Sequence, residues 1–201
     1  MRYPMITLVS SLVAMSLTPV AAESYKDVKV SPQNEVKMHF YDVSAASGEA
    51  LQPSLLRSAP VSTAGRRAIG KAIYQVSWQL DMSQQSDHCQ LYGVKVLTKI
   101  DVTMPNWLQL GSLSAETQSS WNSFLMAMQE YEGRHKSIVQ DAAKQIGDGV
   151  AGLAVSDSCQ VLRTQADAIG YQTLEAARER ALRYQSETGK GRLMGVSYPH
   201  L

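Results

Sequence analysis

The stretch Tyr131-Glu132-Gly133-Arg134-His135 lies where the helical period of the chain is strongest. Positions i and i+4 of a helix share one face, so Tyr131 and His135 project together, with Glu132 beside them. A histidine at the first position would give H-E-x-x-H, in which two imidazoles hold one zinc and the glutamate addresses the metal-bound water. As written, His135 is a good nitrogen ligand and Tyr131 is not. A phenol titrates near 10 and must lose its proton to bind metal well. A plainer reading makes Tyr131 and His135 core residues whose polar tips find hydrogen bonds.

No second constellation competes. His39 sits in a strand-like alternation, His88 in a polar turn and His200 beside the C-terminus. There is no G-x-S-x-G, and Gly189-Lys190-Gly191 follows a helical pattern, so it is no dinucleotide fingerprint. The chemistry of this chain therefore rests on the motif helix and on whatever is brought to it.

The elements that must position the motif are legible from period. Glu35 to Val43 alternates as a first strand, and a short helix is expected around Leu51 to Arg57. Tyr74, Val76, Trp78, Leu80 and Met82 recur at every second residue, and Leu91 to Met104 alternates again after the polar turn Ser83 to His88. These two runs predict an antiparallel hairpin. From Ser114, a plausible N-cap, the spacing changes to three and four through Trp121, Phe124, Met128, Tyr131, His135 and Ile138, predicting a long helix that ends near Gly147-Asp148-Gly149. A second long helix is expected from about Asp157 to Thr188. The predicted class is α+β: a small antiparallel sheet packed against two long helices.

Composition narrows the setting. Residues 1–22 combine Arg2, an apolar run and Val20-Ala21-Ala22, which reads as a secretory signal cleaved after Ala22, leaving 23–201 as a single domain. That apolar run is too short and too interrupted to span a membrane, and no later segment approaches the necessary length. Arg2 is the leader's one charge, so the mature chain is formally neutral. Across the full chain 19 Lys and Arg are dispersed among 18 Asp and Glu, which argues against a nucleic-acid partner. The two cysteines, Cys89 and Cys159, fall in the exported part and are read as one disulfide, worth roughly 4 kcal/mol for so long a loop. A thiol pair binding metal or doing catalysis is the competing reading.

From about Tyr41 to Pro199 the order and spacing of several residues resemble a bacterial family of predicted secreted zinc-dependent proteases, domain of unknown function 922. They are Gly48 and Leu51, Tyr74 and Trp78, Cys89, Pro105-Asn106-Trp107, Trp121, Cys159, and Tyr184 leading to Glu187-Thr188-Gly189-Lys190-Gly191. The family pattern resembles H-E-x-G-H on the first long helix and Y-D-x-x-T-G-H-G at the end of the second. Here Tyr131 replaces the first histidine, the glycine moves by one to Gly133, Gln185 replaces the acid, and Lys190 replaces the histidine between the glycines.

The resemblance implies a minimal zincin-like arrangement and a degenerate site, in which Tyr131, Glu132, His135, Gln185 and Lys190 form a polar cluster and the Lys190 ammonium neutralises Glu132. It implies a catalytically inactive binding module, periplasmic or secreted, with no cofactor and an envelope protein or peptide as partner. The alternative it leaves is an active zinc-dependent metallopeptidase, with Glu132 as general base and His135, joined by Tyr131, as metal ligand.

Overall fold

Cys89–Trp107 (β3) is the strand on which the fold is assembled. Val94, Val96, Thr98 and Ile100 are buried on one of its faces, while Lys95 and Lys99 are exposed on the other, as the period-2 alternation requires. The computed structural model describes residues 27–61, 65 and 67–196. The leader expected over 1–22 and the C-terminal His200 lie outside the described residues.

In chain order the remaining elements are β1 (Lys29–Val43), α1 (Leu51–Ser58), β2 (Lys71–Gln84), α2 (Ala115–Ala151), β4 (Val155–Ser156) and α3 (Cys159–Glu187), with 3-10 turns at Leu110–Ser112 and Arg192–Met194. The sheet order is β1-β3-β2, and the two-residue β4 adds to the start of β3. β2 and β3 form the antiparallel hairpin that the sequence predicts, Tyr74 lying opposite Ile100.

The sheet as a whole is mixed, which corrects the expectation of an antiparallel one. β1 runs parallel to β3, with Val36 opposite Ile100. Alternation marks which face of a strand is buried and carries no information on the direction of its neighbour. The direction is set by α1 and the segment after it, which take the chain from the end of β1 to the far edge of β3 before β2 begins.

Helices cover one face of this sheet and leave the other to solvent. Ser114 caps α2, its hydroxyl accepting the Thr117 N–H at 3.2 Å. α2 then runs to Ala151, past the expected stop at Gly147-Asp148-Gly149. The reason is packing: a Cβ on Gly147 would lie 2.7 Å from Val30 Cγ1, so glycine lets the helix close on the sheet without ending it. Ser158 caps α3 in the same way, accepting from the Val161 N–H.

Two cores result. One joins α1 and the first half of α2 to the ends of β1 and β3, through Val43, Leu51, Leu55, Trp107, Trp121 and Phe124, and the Trp107 indole donates to Ala45 O at 2.8 Å. The other joins the start of β3 to the helices through Cys89, Leu91, Val94, Ile146 and Leu162. The predicted Cys89–Cys159 disulfide is formed at this end and closes a 70-residue separation. It is compatible with an extracytoplasmic location. Among the described residues no helix is long and apolar enough to cross a membrane.

Candidate functional site

The motif falls in the middle of α2, between the two cores. His135 is 6% exposed, and two aromatic rings pack against it. The Tyr131 ring meets it edge-on at 4.9 Å, and Tyr184 of α3 meets it edge-on at 5.2 Å. Tyr131 and Tyr184 stack on each other at 5.4 Å with their planes 22° apart. This three-ring cluster joins α2 to α3. The Tyr184 hydroxyl donates to Met194 Sδ at 3.0 Å, tying it to the 3-10 turn beyond α3.

The loop after α3 packs on the same cluster. Gly191, at φ +85°, lies so close to Tyr131 that a Cβ there would sit 3.2 Å from Tyr131 Cδ2. Lys190, also left-handed at φ +61°, is held in that strained conformation by its neighbours. Its N–H donates to Gln185 O at 2.6 Å, and the Gly191 N–H donates to Thr188 Oγ1 at 3.2 Å. Its side chain is exposed.

Glu132 takes a separate path, toward the sheet. The Tyr74 hydroxyl of β2 donates to Glu132 Oε2 at 3.0 Å. Among the described residues no ion pair links Glu132 to Lys190; the partner of the carboxylate is a phenol. Burial pushes the Glu132 carboxyl above its ordinary range, and the hydrogen bond from Tyr74 opposes that shift without cancelling it. The Tyr74 phenol is itself raised, first by burial and then by the charge on Glu132. Tyr131 is pushed up to about 12 by burial, with the Glu132 charge second. Burial depresses His135, which keeps the imidazole neutral.

The five residues expected to share one polar cluster thus fall into three groups. Tyr131 and His135 join with Tyr184; Glu132 joins with Tyr74. Gln185 and Lys190 line a cavity of about 610 Å³ together with Leu182, Ser186, Gly189 and Arg192. His39 and His88 lie apart from all three groups, exposed and beside Asp101 and Asp87 respectively.

Of Tyr131 and His135, only the histidine is suited to ligate zinc as it stands. A neutral His135 is in the right protonation state to ligate metal. Tyr131, however, keeps its proton at neutral pH, and Lys190 is an exposed cation. Among the described residues no three of His, Cys, Asp and Glu come together so as to hold a metal ion. What the arrangement provides is a buried acid with a fixed phenol donor, next to a neutral imidazole in an aromatic box.

Sequence reasoning placed Tyr74 in its strand but missed its pairing with Glu132. It lies on the buried face of its strand, as the alternation predicts, but nothing local pairs it with a glutamate 58 residues away. The usable signal was a tyrosine, whose hydroxyl needs a partner when buried, in an otherwise apolar strand row.

No curated protein and no solved structure matches the chain. A family profile does match, over residues 38–191, which takes in β3, both long helices and the residues of the site up to Gly191. The chain belongs to the family described as "Bacterial protein of unknown function (DUF922)".

Proposed function

We propose that this chain is an exported, metalloprotease-like protein of zincin-like descent that holds no zinc, hydrolyses nothing, and acts by binding another protein or peptide of the cell envelope. The observation that carries the reading is Tyr131. It stands where the family pattern has its first histidine, stacked on Tyr184 and edge-on to His135, with a phenol that stays protonated until about pH 12. A protonated phenol is a poor ligand, and the ring packing leaves it no reason to ionise. The cavity beside Lys190 supports the binding half of the proposal. Lys190 and Arg192 are its charged lining residues, and with Gln185 and Ser186 they would receive an acidic segment of the partner.

The rival reading is an active metal-dependent hydrolase, in which Glu132 is the base and His135, with Tyr131, supplies ligands. It draws support from Glu132, whose carboxyl burial holds above its ordinary range, the direction in which a general base gains basicity. Elemental analysis of the mature protein, exported and purified without metal affinity, separates the two. The expected result is zinc far below one equivalent, even after zinc is added back, and peptide hydrolysis no greater than that of Glu132→Gln. Near-stoichiometric zinc with hydrolysis that disappears in Glu132→Gln would establish the hydrolase.

A further inference from the structure

β1 is an edge strand. It pairs with β3 on one side, and no strand among the described residues meets its other side. Its 15 residues make a long free edge, which proteins normally shorten, cover or charge. On the helix-facing row of β1, Val36, Met38 and Phe40 are 46, 47 and 63% exposed, although their β3 neighbours Ile100 and Met104 are buried. α2 closes on β1 at Val30, beside Gly147, and leaves these three uncovered.

The solvent-facing row carries a pattern of charge. Glu35 lies beside Lys99 of β3, and Lys37 lies beside Asp101. Lys37 Nζ also reaches Glu35 at 2.7 Å, so the four groups alternate in sign both along β1 and across to β3. An edge with this pattern is complementary to itself.

We propose that β1 pairs antiparallel with β1 of a second copy of this chain, about a two-fold axis at Val36, so that one sheet runs through a dimer. An axis there sets Glu35 of each copy opposite Lys37 of the other. A row across the interface then reads Lys99, Glu35, then Lys37 and Asp101 of the second copy, alternating in sign throughout. Moving the axis to Glu35 or to Lys37 would set that residue against itself, and moving it to Met38 would set Lys37 against His39. The charges therefore select Val36. On the helix-facing row the same axis lays Phe40 over Pro32 of the second copy and Val36 against Val36, covering apolar surface that the monomer exposes.

The inference is independent of whether the site binds metal, and solution mass tests it. Light scattering of the purified mature chain over a concentration series should show a dimer that dissociates on dilution. Glu35→Lys or Lys37→Glu alone places like charges at both crossings and should weaken the dimer at least about tenfold. The double variant E35K/K37E restores opposite signs across the axis and should recover it. Because the double variant sets like charges beside Lys99 and Asp101 within each copy, its unfolding temperature is followed to show that it is folded. Val36→Cys gives a second readout: residues facing each other across the axis have Cα atoms about 4.5–5.5 Å apart, within disulfide reach, so oxidation should link two copies. A monomer at every concentration, a dimer indifferent to the single reversals, or capture of an extended peptide in place of a second copy would overturn the proposal.

Discussion

Glu132 and His135 lie on one side of α2, and the same burial pushes them in opposite directions. Burial raises Glu132 above its ordinary 4.5 and depresses His135 below its ordinary 6.5. Above about pH 4.5 the unfolded chain has released a proton from Glu132 that the folded chain still holds, so stability falls as pH rises toward the folded value. For His135 the sign reverses. Below about pH 6.5 the unfolded imidazole takes up a proton that the ring cluster refuses, so stability falls as pH drops. Denaturant melts over pH 4 to 9 should therefore show Glu132→Gln removing the loss on the alkaline side and His135→Phe removing the loss on the acid side. Tyr74→Phe should do the opposite of Glu132→Gln. It strips a half-buried carboxylate of its donor and should cost about 1–3 kcal/mol at pH 8 and less at pH 4, where Glu132 is protonated. Helical spacing placed Tyr131 and His135 on the inward stripe, and that much was legible in the sequence. The Tyr74 contact was not, because period assigns a side chain to a face and leaves its partner on another element unspecified.

α2 contains glycines that differ in what surrounds them, and the sequence alone treats them alike. At Gly133, inside the motif, a Cβ would meet nothing within 4 Å; at Gly147 it would overlap Val30 and touch Val96. Gly133→Ala should stabilise the protein by about 0.5–1 kcal/mol through helix propensity. Gly147→Ala gains the same propensity but forces a stiff β-branched side chain aside, and should be destabilising by about 1 kcal/mol net. Thermal unfolding of the two variants side by side checks the contrast. It also explains why the helix was expected to stop four residues early: glycine is a stop signal only where the chain turns, and here it answers close packing against β1 and β3. The hairpin, α1, the Ser114 cap and the start of α3 followed from local pattern. The parallel pairing of β1 did not, since it depends on where α1 and the following segment deliver the chain. The left-handed Lys190 is likewise invisible to propensity, because it is imposed by hydrogen bonds that the Lys190 and Gly191 N–H groups donate to Gln185 O and Thr188 Oγ1.

At the scale of the whole molecule, α3 is the less firmly held of the two long helices. Along its 29 residues it buries Leu162, Ala166, Gly170 and Ala177, whereas α2 buries a stripe from Trp121 to Val150. Each large apolar side chain fully withdrawn from water contributes about 1.5–3 kcal/mol, and α3 has one, Leu162. The Cys89–Cys159 bridge joins the first residue of α3 to the first residue of β3, so it compensates for this deficit at the end where α3 begins. The far end of α3 supplies Tyr184 to the ring cluster. The disulfide and the aromatic box are thus two clamps on one helix, and loss of the first should load the second. Replacing both cysteines by serine should lower the unfolding temperature by about 5–15 °C, the effect of about 2–5 kcal/mol in a chain of this size. Amide exchange should accelerate more along α3 than along α2, because α2 keeps both cores. Adding Tyr184→Ala to the cysteine variant should then cost more than Tyr184→Ala costs in the bridged protein, since each clamp limits how far the helix departs when the other is gone. Equal costs in the two backgrounds would mean that the two ends of α3 are held independently, and that the ring cluster owes its geometry to α2 and the Gly191 loop alone.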